Sequence, residues 1–374
     1  MSEFGPTINI KEEQPLPHQE MLHRIYQIMQ ENKIYAVRSL FGRGNFELAH
    51  SDPIEEKELE RIFLEKLHKK IPDGYLVFEG AHPDRETVLF KIKLEVSPDQ
   101  RKTGHNEKCF YEDLLPEIEE NMPAGIEHIK IPELYESGHN DEGSYVVTKF
   151  AEGEQLGSIM EAEKPLSSAE FDDLTRFIRF FQDFLSLEKV KSLSPNMALN
   201  KDEPNSTFEA HKSRFEQFKE KFIENLGQEY TDKMEQLLTD NEELIRSSMN
   251  VLSNQDIIPQ NLVRSNSDLY LIDWERLKIS HAASAYNHII GAHWRWPELQ
   301  NEMIKKVLEM NSDIPNFKEL LRHEMIFYNY STGLLYMKDK TDVPQAKQAL
   351  WQEAGQAFVK SLKDAIDETG VWED

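Results

Sequence analysis

The spacing of apolar and polar residues predicts a first part of the chain that is built mainly from short strands. Alternating apolar positions predict two strands around a turn at Gly42 and Gly44, within residues 34–50, and a hairpin over residues 75–96. A further strand is expected in SYVVTKF, residues 144–150. Apolar residues at helical spacing predict helices between these strands, over residues 17–32, 53–70 and 105–122.

After about residue 150 the pattern changes to long amphipathic helices, predicted over residues 171–187, 208–225, 230–249 and almost throughout 316–367. One hairpin interrupts them, with strands at 261–264 and 269–273 joined by a turn at 265–268. We therefore predict an α+β fold with two lobes. The N-lobe, residues 1–150, is strand-rich, and the C-lobe, residues 151–374, is mainly helical with a helical insertion at about 200–250.

Composition narrows the classes of partner. Of the 374 residues, 39% are hydrophobic and 30% are charged, which is typical of a folded globular protein. The formal net charge of −25 repels phosphate backbones and anionic lipid, so neither nucleic acid nor a membrane is expected as a partner. The single cysteine, Cys109, cannot form an intrachain disulfide, and we find no signal peptide pattern. A cytoplasmic location is therefore expected.

The stretch VLSNQDIIPQNLVRSNSDLYLIDWE, residues 251–275, places three polar residues among apolar ones. Buried carboxylates and amides are costly unless a partner satisfies them. The predicted hairpin should return Asp273 to the side of Asn261, and Asp256 precedes Asn261 in the same loop. A carboxylate that accepts a hydroxyl proton, beside an amide and a second carboxylate that suit Mg²⁺, is typical of phosphoryl transfer.

The segments Asp256-Ile-Ile-Pro-Gln-Asn261-Leu-Val and Leu271-Ile-Asp273-Trp-Glu resemble the catalytic loop and metal-binding motif of the aminoglycoside phosphotransferase and choline kinase-like family. The resemblance implies the two-lobed protein-kinase-like fold and a small-molecule kinase that uses ATP and Mg²⁺. It also implies that Asp256 is the catalytic base and that Asn261 and Asp273 are magnesium ligands. The implied acceptor is a hydroxyl of an antibiotic-, choline-, amino-alcohol- or sugar-like compound.

The segment NEKCFYEDLLPEI, residues 106–118, resembles the N-lobe helix of the same kinases. This implies that Glu107 pairs with a strand lysine that binds the α- and β-phosphates of ATP. Lys91 and Lys93 lie on the same strand face, and both are candidates. We favour Lys91, because Leu89 would then cover the adenine, whereas Lys91 itself would take that place if Lys93 were the phosphate contact.

The strand SYVVTKF should lead into a hinge, where the backbone around Thr148 and Phe150 would meet the adenine edge. Two loops compete as the phosphate loop, FGRGNFEL at residues 41–48 and FEGAHPDRE at residues 78–86. The chain departs from the family at Asn254 and Gln255, where a histidine and often a glycine are usual. These departures favour an alternative function, that of a pseudokinase acting as a nucleotide-binding regulatory or interaction module.

The segment GAHWRWPELQ, residues 291–300, lies where this family builds its acceptor pocket. Tryptophan faces can hold a cation, and Glu298 is nearby, so a cationic small-molecule acceptor is one interpretation of Trp294 and Trp296. The other interpretation is that both tryptophans pack between helices. The histidines of this region have no spacing typical of metal ligands and are expected to be structural or exposed: His281, His288 and His293.

Overall fold

The computed structural model describes residues 23, 24, 26, 27, 30, 36–39, 47, 48, 56, 57, 75–81, 88–94, 98–140, 143–157, 164–199, 207–337 and 345–373. The predicted helices over 17–32 and 53–70, and the turn at Gly42 and Gly44, lie mostly or wholly outside these residues.

The strands of the described residues run in chain order as β1 (Ala36–Ser39), β2 (Glu47–Leu48), β3 (Tyr75–Ala81), β4 (Val88–Leu94), β5 (Ile129–Lys130), β6 (Leu134–Asn140), β7 (Gly143–Lys149), β8 (Glu154–Gln155), β9 (Val251–Asn254), β10 (Leu262–Ser265), β11 (Asp268–Leu271) and β12 (Leu277–Ser280).

The α-helices of the described residues are α1 (Pro98–Cys109), α2 (Leu115–Asn121), α3 (Ser168–Phe184), α4 (Leu187–Leu193), α5 (Thr207–Leu226), α6 (Gln228–Ser248), α7 (Asn287–Gly291), α8 (Pro297–Met310), α9 (Phe317–Met337) and α10 (Gln345–Ile366). Shorter helical turns occur at Phe110–Leu114, Pro259–Asn261, Ala282–Ala285 and Gly370–Trp372.

The chain forms two compact units, Met1–Gly104 with Leu134–Phe150, and His105–Glu133 with Ala151–Asp374. The first unit holds an antiparallel sheet of order β2-β1-β3-β4-β7-β6. The second unit is mainly helical and holds two small sheets, β5-β11-β10-β8 and β12-β9. The predicted α+β class is confirmed. The lobe bounds at residues 150 and 151 stay a prediction, since residues 105–133 are grouped with the second unit.

The predicted helix over residues 105–122 begins earlier than expected and is interrupted by a π-helical turn at Phe110–Leu114. The Leu115 N–H donates to the Phe110 carbonyl, five residues back. Pro116 follows and has no N–H to continue a regular α-helical ladder, which explains the irregular turn. In this turn Phe110 is fully buried and its ring stacks on Trp274 at a centroid distance of 4.1 Å.

Trp274 anchors the segment that follows Asp273. Besides Phe110, its ring contacts Phe177 and Phe181 of α3, and its Nε1–H donates to the Leu271 carbonyl at 3.1 Å. The phenylalanines of α3 are buried at positions 171, 177 and 181 and half-buried at 180 and 184. The aromatic packing therefore fixes where the chain emerges from the β10–β11 hairpin.

A capping box begins α3 and is tied to the same hairpin. Ser167 Oγ accepts from the Glu170 N–H, and the Glu170 carboxylate accepts from the Ser167 N–H. The same carboxylate binds Arg264 of β10 through Nε and Nη2, at 2.5 and 2.9 Å. Paired bonds to one guanidinium give geometric precision, so they hold β10 against the start of α3.

None of the helices in the described part of the chain is both long and apolar enough to cross a membrane. The hydrophobic pattern did not predict three of the strands, namely β6, which pairs with β7, and β9 and β12, which pair with each other. Each of these strands is only four to seven residues long, and period-2 patterning is weak at that length.

Candidate active site

The loop that carries Asp256 is held in a defined shape by its neighbours. Asn254 ends β9, and its Oδ1 accepts from the Asp256 N–H at 2.9 Å. The Ile258 N–H donates to the Asp256 carbonyl at 2.9 Å. Asn254 therefore braces the loop at the position where the family that the sequence resembles usually has a histidine, although its chemistry is different.

A small cavity lies between α3 and the base of this loop. A cavity of about 10 Å³, roughly the size of one water molecule, is lined by residues that include Gln182, Ser253, Asn254 and Trp274. The Gln182 side chain donates from Nε2 to the Ala282 carbonyl at 3.0 Å, and its Oε1 is buried without a hydrogen-bond partner. The cavity therefore lies between α3, through Gln182, and the base of the loop at Asn254.

Asn261 is hydrogen-bonded to Asp256. Its Nδ2 donates to the Asp256 carbonyl at 2.9 Å and to Asp256 Oδ2 at 3.1 Å. Because both partners only accept, the orientation of the amide is fixed. Its Oδ1 is therefore the atom of Asn261 that is left for a cation.

The β10–β11 hairpin returns Asp273 to the side of Asn261, as the sequence predicted. Leu262 pairs with Leu271, and the Ile272 N–H donates to the Asn261 carbonyl at 3.0 Å. Asp273 follows with φ of 67°, a left-handed conformation that non-glycine residues rarely adopt. Strained backbone of this kind is concentrated at functional positions. Asp273 lies two residues beyond Leu271, the last residue of β11, rather than inside the predicted strand, because the chain turns there toward Trp274.

Two charged residues beside Asp256 were missed by the sequence reasoning. Arg276 Nε lies 3.7 Å from Asp256 Oδ2, and the Arg276 side chain is 60% exposed. Glu275 is buried. Arg276 is placed there because β9 and β12 pair, and the Gln255 N–H donates to the Arg276 carbonyl. The position of Arg276 could have been predicted from the sequence only if β9 and β12 had been recognised as paired strands.

The environment raises the pKa of Asp256 to about 6. Burial is the largest cause, and the negative charges of Asp273 and Glu275 add to it. Arg276 and the hydrogen bond from Asn261 act in the opposite direction. Asp256 thus has the properties of a proton acceptor that exchanges near neutral pH.

Asn261 and Asp273 offer oxygen atoms, which Mg²⁺ prefers. Among the described residues, no three His, Cys, Asp or Glu side chains are grouped so that they could hold a metal ion. A magnesium site built from one amide and one carboxylate is a different kind of site, since phosphate oxygens and water complete its shell. The Asn261 amide and the Asp273 carboxylate, on either side of the β10–β11 hairpin, fit that kind of site.

The residues predicted to bind the nucleotide lie in both units. Lys91 is half-buried in the middle of β4, opposite Val77 and Val146. Thr148 is buried on β7 opposite Leu89, and Phe150 is the half-buried last residue of the first unit. Their roles stay predictions.

Glu107 is buried on α1 and belongs to the second unit, so its pairing with Lys91 also stays a prediction. Lys93 lies opposite Tyr75 and Ser144 on β4. Both candidate phosphate loops lie largely outside the described residues.

The tryptophans of residues 291–300 have different environments. Trp294 is buried against Phe358, and the Arg295 guanidinium lies 5.3 Å from the Trp294 ring centre. Trp296 is half-buried, and Glu298 is exposed. Trp294 is thus part of the core. His293 is structural, since its ring contacts the Leu166 N–H and the Ile289 carbonyl.

A buried cluster of histidines around Glu324 was also missed. Glu324 Oε1 lies 2.9 Å from His281 Nε2, and Glu324 Oε2 accepts from the Asn287 amide. His211 Nε2 of α5 lies 3.7 Å from the same Oε2, and His211 Nδ1 contacts His323 Nε2 at 3.1 Å. The cluster joins α5, the turn before α7, and α9, which are far apart in sequence.

The pKa of the Glu324 carboxyl and those of the His211 and His323 imidazoles are all lowered in this cluster. Burial alone would raise the pKa of Glu324, but the neighbouring His211 and His281, the latter 2.9 Å away, outweigh it, and the pKa is lowered. Burial lowers the pKa of His211 to about 4 and that of His323 well below the usual range. No sequence spacing predicts such a cluster, because its members meet only through tertiary packing.

Comparison with solved structures finds the same fold in a small-molecule phosphotransferase. The chain is similar to spectinomycin phosphotransferase APH(9)-Ia in complex with ADP and spectinomycin, with 13% identity, a TM-score of 0.50, and coverage of 91% of this chain and 98% of that one. It also resembles macrolide 2′-phosphotransferase MphH from Brachybacterium faecium, with 12% identity, a TM-score of 0.49, and coverage of 80% and 91%. No protein family model and no curated protein matches the chain. The first similarity confirms the predicted two-lobed, protein-kinase-like fold.

Proposed function

We propose that this chain is an ATP- and Mg²⁺-dependent phosphotransferase that moves the γ-phosphate of ATP onto a hydroxyl of a small molecule. The observation that carries the proposal is the state of Asp256, which is buried, oriented by Asn254 and Asn261, and has a pKa raised to about 6. The fold shared with spectinomycin phosphotransferase supports the same class of reaction.

In this mechanism Asp256 accepts the proton of the acceptor hydroxyl while the hydroxyl oxygen bonds to the γ-phosphorus and ADP leaves. A base with a pKa near 6 is mostly ionised at neutral pH, yet it is basic enough to share a proton in the transition state. The bond from Asn261 Nδ2 to Asp256 Oδ2 leaves Oδ1 for the acceptor hydroxyl. Arg276, 3.7 Å from the carboxylate, limits the rise of its pKa.

Asn261, through Oδ1, and Asp273 would hold Mg²⁺. When bound there, the ion would neutralise the charge of the nucleotide phosphates. The left-handed backbone of Asp273 supports this role, because it turns the residue out of the β11 ladder directly beside Asn261. Lys91 and Glu107 are proposed to bind the α- and β-phosphates, and Thr148 and Phe150 to meet the adenine.

The acceptor is proposed to be a small molecule. A cationic acceptor stays a prediction. Two of the residues that suggested it, Trp294 and Glu298, give it little support. Trp294 is buried against Phe358 instead of lining an open surface, and Glu298 is exposed.

The test is transfer of the γ-phosphate from labelled ATP into a mixture of hydroxyl-bearing metabolites and antibiotics, read by mass spectrometry. We expect a labelled product with the parent protein and none with Asp256→Ala, while both proteins bind nucleotide similarly. Nucleotide binding without product from any mixture would instead support the pseudokinase, for which the substitutions at Asn254 and Gln255 are the motivating observation.

The metal assignment has its own test. We expect Asp273→Ala to lose Mg²⁺-dependent nucleotide binding, measured by calorimetric titration with and without Mg²⁺, because it removes the only carboxylate ligand proposed. Asp268→Ala, at the opposite end of β11, is a matched control that should bind as the parent does. If Asp273→Ala bound Mg²⁺ and ATP as tightly as the parent, the assignment would be wrong.

A further inference from the structure

Trp274 closes a turn around the proposed metal ligand Asp273. The indole Nε1–H of Trp274 donates to the Leu271 carbonyl at 3.1 Å, so one hydrogen bond spans Ile272 and Asp273. Leu271 is the last residue of β11, so the accepting carbonyl belongs to the hairpin. Asp273 lies inside this turn with its left-handed φ of 67°.

The chain is also held immediately before Asp273. The Ile272 N–H donates to the Asn261 carbonyl at 3.0 Å, which ties this side of the turn to the other proposed metal ligand. The left-handed region is unfavourable for a residue with a Cβ, and such residues stay there only where their surroundings hold them. The groups that hold Asp273 are thus the Asn261 carbonyl on one side and Trp274 on the other.

Packing fixes the indole ring of Trp274. The residue is 1% exposed, and its ring stacks on Phe110 at a centroid distance of 4.1 Å and an interplanar angle of 8°. The rings of Phe177 and Phe181 lie 6.3 and 5.6 Å from it. Because protein interiors are close-packed, a ring held among these others keeps one orientation, and its N–H stays directed at the Leu271 carbonyl.

The ring that stacks on Trp274 is supported in turn. Phe110 opens the π-helical turn after α1 and is fully buried. The amide of Asn106, four residues earlier, bonds to the backbone of Ala198 in both directions. Its Nδ2 donates to the Ala198 carbonyl at 3.2 Å, and its Oδ1 accepts from the Ala198 N–H at 2.8 Å. The loop around Ala198 therefore helps to hold the turn that carries Phe110.

We propose that Trp274 is a positioning residue for Mg²⁺, because its indole N–H, in addition to the packing of its ring, holds the Asp273 carboxylate in place for the ion. The inference rests on the proposed function, since it takes Asp273 as a metal ligand. Magnesium demands nearly ideal octahedral geometry, so it tolerates little displacement of a ligand. Loss of the indole N–H should therefore weaken Mg²⁺-dependent nucleotide binding and leave Mg²⁺-independent binding unchanged.

The experiment is a calorimetric titration of the full chain with the non-hydrolysable ATP analogue AMP-PNP, with and without Mg²⁺. Trp274→Phe keeps an aromatic ring in the stack and removes the N–H. Replacement of Trp274 by benzothienylalanine keeps the full bicyclic shape and puts sulfur where the N–H was, so it tests the hydrogen bond even if the smaller ring disturbs folding. Trp372→Phe is the matched control, because Trp372 is also buried, at 3% exposed, but lies in the turn at Gly370–Trp372.

We expect both Trp274 variants to bind AMP-PNP about tenfold more weakly than the parent in the presence of Mg²⁺, as for one lost hydrogen bond in a buried setting. Without Mg²⁺ they should bind it as the parent does. Trp372→Phe should match the parent under both conditions. Parent-like affinity of both Trp274 variants in Mg²⁺, or an equal loss with and without Mg²⁺, would overturn the inference.

Asp273→Ala, titrated alongside, separates this inference from the proposed function. If Asp273→Ala keeps Mg²⁺-dependent binding, the metal assignment of the proposed function fails and the role of Trp274 fails with it. If Asp273→Ala loses that binding while both Trp274 variants bind as the parent does, the role of Trp274 alone fails and the metal assignment stands.

Discussion

Asp256 and Glu324 are two buried carboxylates of the same unit with opposite behaviour. Their residues are 7% and 2% exposed, so burial alone would raise the pKa of both. The pKa of Asp256 is raised to about 6, whereas that of Glu324 is lowered although Glu324 is the more deeply buried. Depth of burial therefore does not decide the direction in which the pKa of each carboxyl is shifted.

The difference lies in the groups that face each carboxylate. Glu324 is approached by His281 at 2.9 Å, the Asn287 amide and His211. The Asp256 side chain accepts a hydrogen bond from Asn261 at 3.1 Å, while burial and the acidic neighbours Asp273 and Glu275 raise its pKa. A carboxylate surrounded by donors is a structural anion, while one buried with few donors is poised to exchange a proton.

The comparison predicts that removing the charge of Glu324 destabilises the protein. Glu324→Gln should lower the free energy of unfolding by about 2 to 3 kcal/mol, because bonds to a charged acceptor are replaced by weaker ones and the new amide faces donors. Urea unfolding at neutral pH measures this. Glu235→Gln, an exposed carboxylate paired with Lys219, is the control and should change stability by about 0.5 kcal/mol or less. Equal effects of the two substitutions would contradict the structural role of Glu324.

The same substitution at Asp256 should act with the opposite sign. The folded pKa of about 6 is above the reference of 3.8, so the folded state binds the proton more tightly and loses stability as pH rises through this range. Asp256→Asn should therefore raise the free energy of unfolding at about pH 8 by about 1 to 3 kcal/mol. The gain in the free energy of unfolding should disappear at about pH 4, where the Asp256 carboxyl of the parent protein is also largely protonated. A loss of stability at about pH 8 would refute the raised pKa.

The smallest effect is expected at Arg276. This side chain lowers the pKa of Asp256, but it is 60% exposed and its charge is screened by solvent. Transfer by the parent should rise with pH through about 6 and level off above it. In Arg276→Gln the midpoint should move upward by about half a unit or less. A downward shift in the pH–rate profile would contradict the assigned contact.

The sequence was informative wherever the relevant contacts are local. The apolar pattern around Asn261 and Asp273 predicted the hairpin that brings them together, because a tight turn fixes the register. It could not predict Arg276 beside Asp256, which depends on the pairing of β9 with β12, or the Glu324 cluster, which depends on the packing of α5 and α9. The left-handed backbone of Asp273 was also not predicted, since most aspartates, unlike many glycines, adopt other conformations.

The fold thus separates a carboxylate that exchanges protons, Asp256, from one that is structural, Glu324. The most direct measurement is a titration of both side chains by NMR in protein labelled with ¹³C at the aspartate and glutamate carboxyl carbons. Asp256→Asn and Glu324→Gln would assign the two resonances. We predict a midpoint near 6 for Asp256, and we expect Glu324 to stay ionised at a pH below the pKa of ordinary glutamates. A midpoint for Asp256 at or below its reference value of 3.8 would contradict it.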